Sequence, residues 1–342
     1  MRILIGLSGG VDSAYAAKKL IELGHELEGA VLIMHEHTEI EPARLSAEEL
    51  RIKLHVIDAT LEFDKVVKKN FVSEYLSART PNPCIICNEK VKFKLLYDFA
   101  VRNGFDAIAT GHYAKVTKII DKDVEKYAIC RADDLKKDQS YMLYRLPPEI
   151  LSKLILPLGE TTKAQVRCAA ANGALSAADR PDSQEICFLP DGNYADYIES
   201  VCGKAKKGNF IDTDGNILGI HNGIIRYTVG QRKGLGISLG TRAFVTEINP
   251  ENNTVTLSSE PLGKREIEVL DVVFSGITPD KLARGLRAFV KIRYSAPFVE
   301  AVCSLGENGV LKLTFDTPVR AAPGQSAVAY VDGIVAFGGI IG

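Results

Sequence analysis

The chain has 342 residues, of which 46% are hydrophobic and 25% charged, and its formal net charge is −1. This length exceeds what one hydrophobic core usually serves, so we expect two or three domains, and the composition lacks the bias of disordered or collagen-like chains. The near-zero charge excludes a broadly basic protein, so any RNA-binding surface has to be local.

The sequence also predicts where the protein works. Its longest apolar runs last a few residues, far short of the roughly 20 needed to cross a bilayer, and residue 1 leads directly into a strand pattern. We therefore expect a cytoplasmic protein with no membrane partner. Its seven cysteines are then not a disulfide framework, because a reducing compartment keeps thiols free.

The first part of the chain alternates short apolar runs with helical patterns. Strand patterns occupy residues 2–7, 27–34, 54–57 and 106–110, and helical patterns occupy residues 13–23, 44–53, 61–76 and 90–102. This alternation predicts a parallel sheet with helices on both faces. Residues 115–130 have the pattern of a β-hairpin that turns at 121–123.

The sequence pattern changes twice further along the chain. From about Ser140 to Gly203 the pattern is helical, and after Lys206 short β-branched runs are punctuated by turn pairs such as Asp214-Gly215 and Asp332-Gly333. We predict a three-domain α/β protein: a parallel-sheet domain over 1–139, a small, mostly helical domain over 140–205, and a C-terminal β-barrel over 206–342.

Gly6 to Ser13 reads GLSGGVDS and lies between a predicted strand and a predicted helix. Backbone N–H groups in such a turn can point together at an anion, and the helix N-terminus adds its positive end, so phosphate is the expected ligand. The loop has no lysine and does not match GxxxxGK[ST] or GxGxxG. It resembles the loop of the PP-loop ATP pyrophosphatases; the alternative is an ordinary glycine turn with a capping serine.

The cysteines fall into two groups. Cys84 and Cys87 lie in TPNPCIICN, where two prolines stiffen the approach. Such a pair can bind iron or zinc, or a following helix N-terminus can lower the pKa of one thiol; two buried small hydrophobic residues are the alternative. Cys187 lies in DSQEICFL. We expect the other four to be packing residues: Cys130, Cys168, Cys202 and Cys303.

Eight motifs together resemble one family, the bacterial tRNA-specific 2-thiouridylases (MnmA), in the family's order and over nearly the whole chain. They are GLSGGVDS, TPNPCIICN, ATGHY at 109–113, KDQSYML at 137–143, DSQEICF, TVGQRKGLGI at 228–237, VKIRYS at 290–295 and PGQSAV at 323–328. The resemblance implies an ATP-binding PP-loop domain at the N-terminus and tRNA binding by the β-barrel.

The same resemblance implies roles for individual residues. Ser8, Gly9, Gly10 and Ser13 hold phosphate and Asp12 positions Mg²⁺, within an ATP site made of Gly6, Leu7, Ser8, Gly9, Gly10, Val11, Asp12, Ser13, Leu32 and Gly111. The tRNA contacts are Asn82, Pro83, Cys84, His112, Lys137, Asp138, Gln139, Arg293, Tyr294 and Gln325. Without the resemblance, Arg293 and Tyr294 read as an alternating barrel strand with a solvated arginine.

The implied reaction is ATP-dependent replacement of the C2 oxygen of the wobble uridine, U34, by sulfur. ATP first adenylates the oxygen, because oxide is a poor leaving group, and sulfur then attacks C2. The resemblance implies that Cys187 carries the sulfur as a persulfide and that Cys87 is the catalytic thiol, which either releases the sulfur by forming a disulfide with Cys187 or attacks the activated base. The disulfide requires the two sulfurs to approach within bonding distance. The sulfur donor is a persulfide carrier protein or free sulfide.

The sequence departs from the family in two places: the segment from Met34 to Leu45 is shorter than usual, and position 84 carries a cysteine. Cys84 stands where many members carry an acidic residue, so the role of that carboxylate does not transfer. Three thiols, Cys84, Cys87 and Cys187, would be enough to hold a [4Fe-4S] cluster with one open iron, as an alternative to a cluster-free persulfide route. Two other functions stay open: another PP-loop ligase acting on a small-molecule oxygen, and a non-catalytic RNA-binding protein.

Overall fold

A computed structural model describes residues 1–121, 124–172, 177, 186–189, 192–261, 263–306 and 310–342. Its strands are β1 Arg2–Gly6, β2 Glu26–Ile33, β3 Lys53–Asp58, β4 Ala107–Ala109, β5 Lys115–Asp121, β6 Val124–Cys130, β7 Leu154–Ile155, β8 Gly208–Ile211, β9 Ile217–His221, β10 Phe244–Asn249, β11 Thr254–Ser258, β12 Lys264–Phe274, β13 Leu286–Lys291, β14 Val299–Leu305, β15 Leu311–Val319, β16 Ser326–Val331 and β17 Ile334–Ile341.

The α-helices are α1 Val11–Glu22, α2 Glu41–Glu49, α3 Thr60–Phe63, α4 Lys69–Leu76, α5 Pro83–Cys87, α6 Phe93–Arg102, α7 Pro148–Leu151, α8 Lys163–Asn172 and α9 Tyr194–Cys202. A π-helical turn, Asp64–Lys68, joins α3 to α4, and a second, Asn88–Lys92, joins α5 to α6. Such turns are rare and often occur at functional sites. Among the described residues, no helix is both long and apolar enough to span a membrane.

The N-terminal sheet is parallel throughout, with strand order β3-β2-β1-β4-β7. Its central strand is apolar on both faces: Ile3 and Ile5 pack into one core, Leu4 packs into the other, and all three are 0% exposed. The chain runs from β1 outward in both directions, so the carboxyl ends of β1 and β4 flank a switch point where α/β proteins bind ligands. The predicted parallel α/β fold is confirmed.

The strands after residue 206 form two sheets. The first has the order β10-β11-β8-β9. The second runs β12-β15-β14-β13-β16-β17, and β12 also pairs with β17, which closes the barrel. The predicted C-terminal barrel is therefore confirmed, with a second β-unit before it, while the domain bounds 1–139, 140–205 and 206–342 stay predictions.

The predicted hairpin is also present. β5 and β6 pair in antiparallel register from Lys115–Cys130 inward, and residues 122–123 of its turn lie outside the described part. A bridge between Ile334 and Cys130 attaches the hairpin to β17. The hairpin thus joins the N-terminal unit to the C-terminal barrel.

Candidate active site

The glycine-rich loop follows β1 and leads directly into α1. Gly9 has a φ of +75°, and a Cβ there would lie 2.3 Å from the carbonyl carbon of Pro42, so only glycine fits. The hydroxyl of Ser13 donates to the carbonyl of Gly10 at 2.9 Å and lies 3.2 Å from the hydroxyl of Ser8. No side chain at Gly10 caps α1, so its first N–H groups are available to a phosphate.

The residues after β4 lie against this loop. A Cβ on Gly111 would be 2.7 Å from the carbonyl carbon of Asp12 and 2.8 Å from the nitrogen of Ser13. This close approach places the ATGHY segment beside the start of α1. Leu32, in β2, is 8% exposed and belongs to the core, so a nucleotide would meet mainly its backbone. These glycine-lined surfaces fit a bound ATP.

Asp12 has two partners that the sequence did not reveal. The amine of Lys163 lies 2.7 Å from Oδ1 and 2.8 Å from Oδ2 of Asp12, and the hydroxyl of Tyr113 donates to Oδ1 at 2.7 Å. Lys163 is the first residue of α8, which packs on α1 through Val166. A metal ion at Asp12 therefore has to share the carboxylate with this ammonium group or displace it.

The three predicted thiols come together beside one cation. The pKa of Cys87 is raised to about 11 by burial, which Lys92 partly offsets and to which Cys187 and Cys84 add smaller increases. Burial also raises the pKa of Cys187, with Cys84 next in effect, so the three sulfurs lie within electrostatic reach of one another. Met34, at the end of β2, touches Cys87 with a sulfur–sulfur distance of 3.8 Å.

One alternative for the Cys84–Cys87 pair, a thiol whose pKa is lowered by a following helix N-terminus, is not found at Cys87. Cys87 is the last residue of α5 and does not precede a helix N-terminus; it is 6% exposed. Desolvation disfavours the thiolate, so burial raises the pKa of Cys87. The packing role expected of the other cysteines holds for Cys303, which is buried, whereas Cys168 and Cys202 are exposed.

His112 lies on the same side as the thiols. Its Nδ1 is 2.8 Å from the hydroxyl of Thr110, and its ring centroid is 5.4 Å from that of Phe93. Burial, with Lys92 second, lowers the pKa of His112 to about 3. The imidazole is therefore neutral at physiological pH and can accept or donate a hydrogen bond without carrying charge.

Two of the residues expected to touch RNA have structural partners. Asp138 is 5% exposed, and its carboxylate accepts hydrogen bonds from the backbone of Ala132 and from the backbone and hydroxyl of Ser140. Gln139 pairs with Tyr113 through both its backbone and its side chain. In this conformation the two residues shape the KDQSYML segment and present little side chain to a ligand.

Arg293 and Tyr294 lie in the turn after β13, so the alternative of an alternating strand is wrong. Arg293 is exposed, which suits a phosphate contact. Burial raises the pKa of Tyr294, with Asp138 and Lys137 as charged neighbours. The structure thus brings Tyr294 and Lys137 to one place.

The approach to the cysteine turn is tied to other parts of the molecule. Gln325 donates from Nε2 to the carbonyl of Thr80 at 2.9 Å, so its amide is engaged in a hydrogen bond within the protein. Asn82 donates to the sulfur of Met142 at 3.6 Å, and Pro83 is buried as the first residue of α5. Cys84 is exposed.

Within the described residues, no group of three or more His, Cys, Asp or Glu side chains is arranged to hold a metal ion. Cys87 is buried and its pKa is raised to about 11, so the protonated thiol, a poor metal ligand, is favoured at that position. The donor set therefore does not fit an iron–sulfur cluster in this conformation.

Comparison with known proteins agrees with this geometry. The model of the tRNA methyl transferase HUP domain matches residues 1–191, that of the tRNA methyl transferase PRC-barrel domain matches 195–259, and that of the aminomethyltransferase beta-barrel domain matches 264–341. A phosphate-binding turn between the first strand and first helix of a parallel sheet places the chain in the PP-loop class of nucleotide-binding proteins.

Relatives named tRNA-specific 2-thiouridylase MnmA match almost end to end. The chain is 44% identical to that of Acetivibrio thermocellus, with 99% of both chains covered, and 42% identical to that of Clostridium botulinum, with 99% of this chain and 97% of the relative covered. It is 41% identical to that of Caldicellulosiruptor saccharolyticus, with 99% and 98% covered. The chain belongs to the MnmA family of tRNA-specific 2-thiouridylases.

Proposed function

We propose that this protein is a tRNA 2-thiouridylase that uses ATP and Mg²⁺ to replace the C2 oxygen of the wobble uridine, U34, with sulfur. The observation that carries the proposal is the convergence of Cys84, Cys87 and Cys187 around Lys92, with Cys87 in contact with Met34 at the carboxyl end of β2. The parallel neighbour β1 leads into the phosphate loop at the same edge of the sheet. We place the activity in the cytoplasm, where tRNA and ATP are available.

Activation of the uridine is a transfer of AMP. The C2 oxygen forms a bond to the α-phosphorus of ATP, and the bond to pyrophosphate breaks. Ser8, Gly9, Gly10 and Ser13 would bind the departing pyrophosphate through their N–H and hydroxyl groups, and Asp12 would hold Mg²⁺, which neutralises phosphate charge. The base has to leave its stack to reach the site, which suits an anticodon loop.

Sulfur transfer then uses two thiols. A persulfide on Cys187 attacks C2 with its terminal sulfur, and the C2–O bond breaks to release AMP. The thiolate of Cys87 attacks the sulfur of Cys187, and the S–S bond to the new thiouridine breaks. Cys87 and Cys187 are left as a disulfide, and either of two donors restores the persulfide. An external thiol reduces the disulfide and a persulfide carrier protein then passes its outer sulfur to Cys187, or free sulfide attacks the disulfide at Cys187 and leaves the persulfide there and a thiol on Cys87.

In this proposal Lys92 supports the reactive thiolate. Burial keeps Cys87 protonated at neutral pH, and Lys92 is the neighbouring charge that lowers its pKa. Exposed Arg293 and half-buried Lys137 and Tyr294 are the side chains that would contact RNA in this proposal. They would add the local positive surface that the net charge of −1 requires.

The test is incubation of the protein with ATP, Mg²⁺, a sulfide or persulfide source and unmodified tRNA, followed by mass spectrometry of the nucleosides. The wild type should form 2-thiouridine, and Cys87→Ser and Cys187→Ser should not. Cys202→Ser, at an exposed thiol on α9, is the matched control and should stay active. Equal product from all four proteins would overturn the role of the thiols.

The same assay separates the other functions. A PP-loop ligase acting on a small-molecule oxygen would consume ATP without tRNA, and both cysteine variants would keep that activity. A non-catalytic RNA-binding protein would bind tRNA without consuming ATP, and Asp12→Ala would leave its RNA affinity unchanged.

An iron–sulfur route would need Cys84, Cys87 and Cys187 as ligands of a [4Fe-4S] cluster. Because the donor set does not fit a cluster here, no step above passes through one. Analysis of iron and acid-labile sulfide in anaerobically purified protein decides between the routes: iron and sulfide at about four per chain, lost in Cys84→Ser, would replace the persulfide route.

A further inference from the structure

The segment Arg79–Pro81, which leads into the cysteine turn, is fastened to both β-units. Its central residue, Thr80, donates from its backbone nitrogen to the carbonyl of Pro323 at 2.7 Å and accepts from Gln325 at its own carbonyl at 2.9 Å. Its hydroxyl lies 3.2 Å from the hydroxyl of Thr228. All three polar atoms of Thr80 are therefore bonded to residues of the two β-units.

The neighbours of Thr80 repeat this pattern. Gln325 also reaches the carbonyl of Pro81 at 3.4 Å, and Arg79 donates to the carbonyl of Ile341, the last residue of β17, at 3.1 Å. Gly324 lies so close that a Cβ there would be 2.8 Å from the nitrogen of Thr80. Surface loops usually satisfy much of their backbone with water, so this density of contacts fixes the segment in place.

The position of Thr80 reaches the thiols along a short, stiff path. Pro81 and Pro83 are both buried and both have restricted φ angles, and Pro83 is the first residue of the helix that carries Cys84 and Cys87. Asn82 and Asn88 hold the same helix to Met142. A displacement of Thr80 would therefore also displace Cys84.

Thr228 connects Thr80 to a surface suited to RNA. It opens the glycine-rich segment 228–243, which forms an open groove of about 560 Å³ lined by Arg232 and Arg242. Both arginines are exposed and can bind phosphate. On its other side, Thr80 contacts the barrel whose turn carries exposed Arg293.

We propose that Thr80 is a positioning residue through which the two β-units set the place of the Cys84–Cys87 turn, so that tRNA held on those units aligns its target base with the reactive thiols. The expected effect on thiolation rests on the proposed function. The expected effect on the reactivity of the Cys84 thiol rests on the hydrogen bonds of Thr80 alone. Thr80 itself touches no reacting atom.

The test is a double-mutant cycle on the bond between Thr80 and Thr228. Thr80→Val and Thr228→Val each remove the bond between the two hydroxyls at almost constant volume, and Thr228→Val also removes a side-chain hydrogen bond to Tyr194. Each should lower kcat for thiolation by about threefold to tenfold with little change in the KM for ATP, because loss of the bond shifts the reacting groups. The double variant should be no slower than Thr228→Val alone.

Controls separate positioning from general damage. Thr80→Ser keeps the hydroxyl and should restore kcat, and Thr254→Val, at a half-buried threonine of β11, should behave as the wild type. Additive losses in the double variant, or losses that follow the melting temperature, would show a merely structural role and overturn the proposal.

A second readout does not depend on catalysis. In protein without tRNA, Thr80→Val and Gln325→Glu should each raise the rate of iodoacetamide modification at Cys84 relative to exposed Cys202, because the turn is no longer held. An unchanged ratio of Cys84 to Cys202 modification in both variants would overturn the positioning role of Thr80. If the wild type forms no 2-thiouridine, the proposed function falls, and the modification ratio still decides this inference.

Discussion

Replacing Lys163 by methionine tests whether the ion pair at Asp12 prepares the phosphate loop. Methionine keeps the length and apolar contacts of the lysine but removes the ammonium group, which lies 2.7 Å and 2.8 Å from the two carboxylate oxygens of Asp12. The side chain of Lys163 is 9% exposed and that of Asp12 is 32% exposed. The change therefore leaves a half-buried carboxylate beside the loop with the hydroxyl of Tyr113 as a partner.

The magnitude follows from this exposure. Removing one partner of a fully buried ion pair costs about 3–5 kcal/mol, and because water reaches a third of Asp12 we expect a loss of about 1–3 kcal/mol in the free energy of unfolding. The loss of a cation beside the phosphate position should also weaken ATP binding by about tenfold to a hundredfold. AMP lacks the pyrophosphate and should bind Lys163→Met as it binds the wild type.

Isothermal titration calorimetry with ATP and with AMP measures both affinities, and urea unfolding measures the stability. Lys19→Met is the matched control, because the amine of Lys19, on α1, bonds to the carbonyl of Pro157 and the hydroxyl of Thr161 and, among the residues that the structure describes, to no carboxylate. This control should lose stability and keep the wild-type ratio of ATP to AMP affinity. A wild-type ratio in Lys163→Met would refute the reasoning.

Three further outcomes are expected. Between pH 6.5 and about 3, His112 is protonated in the unfolded chain and neutral in the folded one, so the free energy of unfolding falls by up to about 1.4 kcal/mol for each pH unit that the pH drops. His112→Gln should reduce this slope, measured by urea unfolding at two pH values, and equal slopes in the variant and the wild type would contradict the prediction. Alkylation of Cys87 should keep accelerating above about pH 9, where an ordinary thiol levels off, because its pKa is about 11; a plateau near pH 9 would show that the thiol is not desolvated. Gly111→Ala should weaken ATP binding at least about tenfold in calorimetry, because its Cβ would lie 2.7 Å from the backbone of Asp12; wild-type affinity would show that the loop can yield.

Local patterns were enough to predict the phosphate loop. A continuous apolar strand, a turn in which Gly9 needs a positive φ, and a helix that begins directly afterwards are all set by neighbours in sequence. The same holds for the β5–β6 hairpin. In each case the sequence pattern and the physical cause lie within about twenty residues, which is the range over which periodicity is informative.

Contacts across long stretches of chain were not predictable. Lys163 reaches Asp12 over 151 residues, and its identity as the first residue of a helix gave no sign that the amine would be buried. Gln325 reaches Thr80 over 245 residues. Similarly, short strands separated by glycine turns look alike in sequence, and only the pairing of β12 with β17 shows that they close a barrel separate from the β8–β11 sheet.

The sign of the Cys87 pKa shift shows how tertiary packing decides chemistry. Helix position can be read from sequence, but desolvation depends on which side chains cover the thiol, here Met34 from another strand among them. Cys84 and Cys187 each add like-charge repulsion to the ionised form, and Lys92 supplies attraction. One cation beside three thiols favours a single thiolate at a time. The persulfide route needs only that single thiolate at each step, whereas three-cysteine cluster ligation requires all three thiols to ionise, at a cost that the metal itself would have to offset.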